Sequence, residues 1–294
     1  MRRAIESFLI LAGLILAALP APAEAAPKSG GDQAAKAVSE SMRRILRADY
    51  EADQATLKHE FEALARYAHS PEVGAEAHYW RGFARWRAGM NGWNDGMPPE
   101  EITEHTAAAA DEFAKAIERD PAFADARAAM AICRATLLFS EQPEPPDKMD
   151  RLRQYSSELK RAFDEAPENP RTLWVVGGTY FWTPPDQGGS VDKAVSFYEK
   201  GLAAAQRAPA ALATSLRPTW GEPELLMSLA YVRLKQPAPD LDAAERYARE
   251  ALAEVPYWHY VRDVLLKQIG DARAAAAAAP AATLTPSPST TPMN

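Results

Sequence analysis

The sequence predicts an all-α fold. Through the body of the chain, apolar residues recur at three- and four-residue spacing, strand-like alternation is absent, and prolines fall between the periodic segments rather than inside them. Three helix ends share one pattern: Ala116-Ile117 with Pro121, Ala162-Phe163 with Pro167, and Ala251-Leu252 with Pro256. Pro167 follows Pro121 by 46 residues and Pro256 follows Pro167 by 89, close to two further units, so the pattern is a repeat. Helix pairs that bury their apolar faces on their neighbours make an α-solenoid.

The elements follow in order. Met1-Arg2-Arg3 is a short basic start, Phe8 to Leu19 is an unbroken run of apolar and small residues, and Ala21-Pro22-Ala23 begins a set of small-x-small cleavage patterns. Residues 1–25 therefore read as a secretory signal peptide, with an apolar run short of the roughly 20 residues that span a bilayer. No cysteine follows the run to take a lipid, and the chain is expected not to be membrane-embedded. A signal for the general export route, a fold without disulfides and the lack of any Asn-x-Ser/Thr sequon point to a bacterial periplasm. Residues 33–46 and 50–68 are expected to form two amphipathic helices capping the start of a helical body over 33–270. Residues 257–269 are expected to close it as a last cap helix. Residues 271–294, an alanine run followed by alternating Pro, Thr and Ser, have no apolar pattern to bury and are expected to be disordered.

Small residues mark the middle of each first helix, at Gly82, Ala131, Gly177 and Ala230, and the end of each second helix, at Ala116, Ala162, Gly201 and Ala251. In this the chain resembles the tetratricopeptide repeat family, over roughly residues 75–270. The family's repeat is about 34 residues long, and the longer units here place insertions between first and second helices, at 90–105, 140–147 and 183–190. A further insertion, 208–221, falls between repeats and is expected at the opposite edge. In the 183–190 insertion, Pro184-Pro185 ends one helix, the glycines turn the chain, and Ser190 caps the next helix.

The resemblance implies that first helices line a concave groove. The family's groove positions carry over to Tyr79, Phe83, Trp86 and Arg87 in the first clear repeat, to Arg171, Trp174, Phe181 and Trp182 in the third, and to Tyr231 in the fourth. Aromatics three and four apart on one helix also describe a helix core, and both readings stand at this level. As a groove, flat and stiff side chains offer contact area at low entropy cost to an extended peptide or a glycan, with Arg85, Arg87 and Arg171 placed to anchor a carboxylate.

Chemistry is sparse. The net charge of −7, from 33 basic against 40 acidic side chains among 294 residues, supplies no field for a phosphate backbone, so nucleic acid is not an expected partner. The one cysteine, Cys133, reads as a small core residue, and the five histidines include no pair spaced four apart on a helix, so no metal or cofactor is expected. His59-Glu60 begins like a zinc-protease motif, but Ala63 stands where the second histidine belongs. Asp95, Glu100, Glu101 and Asp186 share a predicted edge and leave a helical-scaffold glycan hydrolase as a remote alternative. The expected function is that of an exported scaffold or adaptor binding a protein or peptide partner in its groove. The alternative is a helical protein that binds a small ligand or a glycan.

Overall fold

The computed structural model describes residues 30–141, 143–207 and 215–278. Among them are eleven α-helices and no strand: α1 (Gly30–Glu51), α2 (Gln54–Ala63), α3 (Gly74–Asn94), α4 (Pro99–Arg119), α5 (Ala124–Ser140), α6 (Lys148–Glu165), α7 (Pro170–Trp182), α8 (Val191–Gln206), α9 (Glu222–Lys235), α10 (Leu241–Glu254) and α11 (Leu266–Ala278). Short 3-10 turns lie at Leu64–Tyr67 and Pro185–Gln187, and a π-helical segment, Tyr260–Leu265, runs straight into α11. The expected signal peptide and most of the expected tail lie outside the described residues. The tail expectation is corrected at its start, because α11 continues to Ala278: alanine has the highest helix propensity, and the run extends a helix already docked through Leu265 and Ile269. None of the described helices is long and apolar enough to cross a membrane.

Local chemistry sets the helix ends. Asp53, Ser190 and Asp240 each accept a hydrogen bond from a backbone N–H of the first turn they cap, and Asn169 does the same ahead of Pro170. Ser190 thus has the capping role its sequence context predicts, and Gly188 makes the preceding turn at a φ of 96°. Pro121, Pro167 and Pro256 stand just beyond the ends of α4, α6 and α10, where the missing N–H and the restricted preceding residue end a helix.

Consecutive helices pack on one another through the small residues. A Cβ on Gly82 would lie 2.9 Å from the Phe113 ring, one on Gly177 would lie 2.6 Å from the Tyr198 ring, and one on Gly201 would lie 2.8 Å from Leu225. Ala116, Ala162, Ala230 and Ala251 have no exposed surface. At 90–105 the structure departs from the expected loop. α3 runs on to Asn94 and α4 begins at Pro99, so the added residues lengthen both helices. Gly89 and Gly92 permit this by letting His105 and Met97 come against the helix.

The core of α1 to α5 centres on Trp80, Phe83 and Phe113, and a second core joins Tyr50 to α9, α10 and the segment after it. Beside the first, Glu112 accepts hydrogen bonds from Arg81 and sits 2.7 Å from His78 Nδ1. Burial pushes this carboxyl up, but the bonds and charges of His78 and Arg81 outweigh burial and bring it down to about 2. The two ends of the body touch: the Arg47 guanidinium lies 4.1 Å over the Tyr257 ring, and the Tyr50 and Trp258 rings are 5.0 Å apart.

Candidate functional site

The nine expected groove residues divide into three groups. Tyr79 and Phe83 have no exposed surface, Trp86 is 7% exposed and Arg87 is 3% exposed. A side chain without accessible surface presents nothing to a partner, so the groove expectation is corrected for these four: they belong to the interior. Arg87 donates to Asp49 Oδ1 at 2.7 Å, and Asn91 donates to the same oxygen at 3.1 Å. Beside them Tyr50 donates to Glu224 Oε1 at 2.7 Å. One arginine therefore faces two buried carboxylates, and neither Asp49 Oδ2 nor Glu224 Oε2 has a hydrogen-bond partner. Burial raises both carboxyls above their ordinary values, and Arg87 only partly opposes this.

What covers the aromatic face of α3 and α7 is the chain itself. Residues 215–221, leading into α9, lie against it as an irregular strap. The Trp220 indole is 5% exposed, with ring centres 5.4 Å from Phe83, 5.8 Å from Trp174 and 6.5 Å from Trp86, and its Nε1–H donates to the Tyr79 hydroxyl at 3.1 Å. Two strap carbonyls are also held: Leu216 O accepts from Trp80 Nε1 at 2.8 Å, and Trp220 O accepts from Arg171 Nη1 at 2.9 Å. Arg217 pairs with Glu76 and Asp120 and lies 3.9 Å over the Phe123 ring. For the described part of the 208–221 insertion, the expected position at an outer edge is therefore corrected: apolar Leu216 and Trp220 draw it onto the first-helix face. Residues 208–214 lie outside the described residues.

Two of the three arginines expected to anchor a carboxylate are bound within the fold. Arg87 is bound as above, Arg171 pairs with Asp125 and the strap, and Arg85 lies over the Phe61 ring at 5.3 Å. Trp174 is half-buried, and its Nε1 donates to Ser228 Oγ at 2.8 Å.

Phe181, Trp182 and Tyr231 remain, and they form a cluster at the C-terminal ends of α7 and α9. Their ring centres lie 5.0 Å (Phe181 to Trp182), 5.9 Å (Phe181 to Tyr231) and 5.8 Å (Trp182 to Tyr231) apart. Trp182 is 70% exposed, Phe181 and Tyr231 are half-buried, and the Lys235 ammonium stands 5.7 Å from the Tyr231 ring centre. Neighbouring rings support an open indole face beside one cation. Such a surface has the chemistry to stack on a flat apolar molecule and to meet an acidic group at its edge.

Of the acidic residues on the predicted edge, Asp95 faces His259 Nε2 at 3.2 Å, Glu100 and Glu101 lie in the first turn of α4, and Asp186 lies in a 3-10 turn. Among the described residues no three His, Cys, Asp or Glu side chains are grouped to hold a metal ion. Cys133 is buried, and burial raises its thiol far above the ordinary range, which leaves an inert core residue.

Trp220, Arg217, Asp49 and Glu224 have no counterpart among the sequence-derived candidates. Trp220 and Arg217 sit in a stretch without helical periodicity, and Asp49 and Glu224 gain meaning only through partners far along the chain.

No family model and no curated protein matches the chain. Among solved structures it is similar to the HusA haemophore from Porphyromonas gingivalis, with a TM-score of 0.50 and 21% identity over 71% of this chain and 97% of that one. At this identity the similarity is one of fold.

Proposed function

We propose that this protein binds a small, flat, largely apolar ligand on the ring cluster of Phe181, Trp182 and Tyr231. The carrying observation is the 70% exposed Trp182 indole held in place by two neighbouring rings. Aromatic side chains grouped at the surface, with one ring largely open to solvent, are a mark of a binding position. A protein of similar fold is named a haemophore, which makes haem the first ligand to test. Its tetrapyrrole plane suits stacking, and Lys235 suits a propionate. Titration of the full chain with haem should quench tryptophan emission and shift the haem absorption band, and Trp182→Ala should weaken binding about tenfold or more. No response in the wild type, or equal affinity in the variant, rejects the reading. Iron-free protoporphyrin should bind comparably, because stacking, not iron ligation, is the proposed contact.

The helix pairs are further proposed to form a right-handed solenoid of tetratricopeptide type, with cap helices at both ends. The close approaches at Gly82, Gly177 and Gly201 support this reading. Gly177→Leu should then lower stability by about 1–3 kcal/mol through overpacking against Tyr198. A wild-type urea midpoint in that variant would put the register in error. Export to a bacterial periplasm belongs to the same proposal and rests on the pattern of residues 1–25. Sequencing of the exported form should find a new N-terminus after residues 23–26; one that begins at Met1 removes the proposal.

A further inference from the structure

The strap at 215–221 is held by the kinds of contact that hold a bound peptide. Its two gripped carbonyls, Leu216 O and Trp220 O, are backbone groups that any extended chain presents, and they are met by side-chain donors from α3 and α7. Its two selective side chains are of different kinds. Arg217 meets a pair of carboxylates on α3 and at the end of α4, and Trp220 fills a box walled by Phe83, Trp86 and Trp174 with Tyr79 Oη as acceptor for its N–H. Arg217 keeps 38% of its side chain exposed, so the strap is anchored at one end by a buried ring and at the other by ion pairs open to water. Ion pairs at that exposure contribute little. The anchor that matters is the indole.

From these contacts we propose that the α3/α7 face is a recognition site for an extended protein segment of Arg-x-x-Trp chemistry, held shut by the chain's own copy of that segment. The partner is a protein presenting a basic residue and a tryptophan at this spacing, and it binds by displacing the strap. This goes beyond the ring-cluster reading and uses different residues. Because the strap is tethered, it competes at the high effective concentration that linkage confers, of the order of millimolar for short flexible connections. The intact protein therefore admits a partner segment weakly, and a protein with a weakened strap admits it well.

The probe is a fluorescein-labelled peptide of residues 215–222, Ser-Leu-Arg-Pro-Thr-Trp-Gly-Glu, followed by anisotropy with the full chain. A chain carrying Arg217→Ala and Trp220→Ala should bind it at least about tenfold more tightly than the wild type does. The same peptide with alanine for tryptophan should lose that binding. A cooperatively melting double variant that ignores the peptide overturns the proposal. Should the double variant not fold, the wild type and Arg217→Ala decide the matter through amide hydrogen exchange over residues 215–221, read by mass. Excess peptide should accelerate that exchange in both, and an unchanged rate overturns the proposal. Haem titration of the same proteins separates the two sites, since loss of the peptide effect with haem binding intact rejects only the strap, and the converse rejects only the ring cluster.

Discussion

Replacement of Arg87 by methionine should lower stability by about 3–5 kcal/mol at neutral pH, among the largest effects of any single substitution in this protein. The length and much of the apolar stem are kept, so the loss is one of charge: Asp49 and Glu224 would remain inside the protein without the guanidinium that faces both. The pH dependence carries the diagnosis. Both carboxyls have folded values raised above the unfolded ones. Their contribution to stability is therefore full below the ordinary values of 3.8 and 4.5 and is lost as pH rises through the raised folded values. Removal of Arg87 raises them further, so the variant's deficit should be smaller at pH 4 than at pH 7. Urea midpoints at the two pH values test this. A deficit that is equal at both would mean that packing, not charge, is what Arg87 supplies.

Trp86→Ala and Trp182→Ala should separate cleanly although both residues carry the same expectation from sequence. Trp86 packs edge-on against Phe83, Phe113 and Trp174 and is 7% exposed, so its truncation should cost about 3–5 kcal/mol. Trp182 is 70% exposed, and its loss should change stability by roughly 0.5 kcal/mol or less. Denaturation midpoints of the two variants measured side by side decide it. A stable Trp86→Ala protein would return that residue to a binding surface.

These two tryptophans also mark how far the sequence could be read. Helical spacing, the small residues at Gly82, Gly177 and Gly201, and the cap at Ser190 are local signals, and each is found where the pattern placed it. The aromatic stripe on α3 and α7 was legible as a stripe, but whether it faces solvent depends on Trp220, which reaches Tyr79 from 141 positions away. No periodicity in residues 215–221 announces that contact. The same holds for Glu224, which meets Tyr50 across 174 positions. Of the candidate residues, Phe181, Trp182 and Tyr231 stayed accessible because they lie at helix ends, beyond the reach of the strap. The sequence could not rank them above Tyr79 and Phe83, since composition and spacing are alike in both sets.

The contact between the two ends of the body, Arg47 and Tyr50 on one side and Tyr257 and Trp258 on the other, bears on how the protein comes apart. In an array whose units rest only on their neighbours, each terminal helix has one partner and frays first, so local opening grows cheaper toward the ends. Here the last turn of α1 and the turn at Tyr257–Trp258 are each other's second neighbour. Neither turn can leave without uncovering the other, so the two should open together. Forming that contact closes a loop of nearly the whole body, an entropic cost met late in folding. Two turns that an open array would leave apart become a clasp, late to fasten.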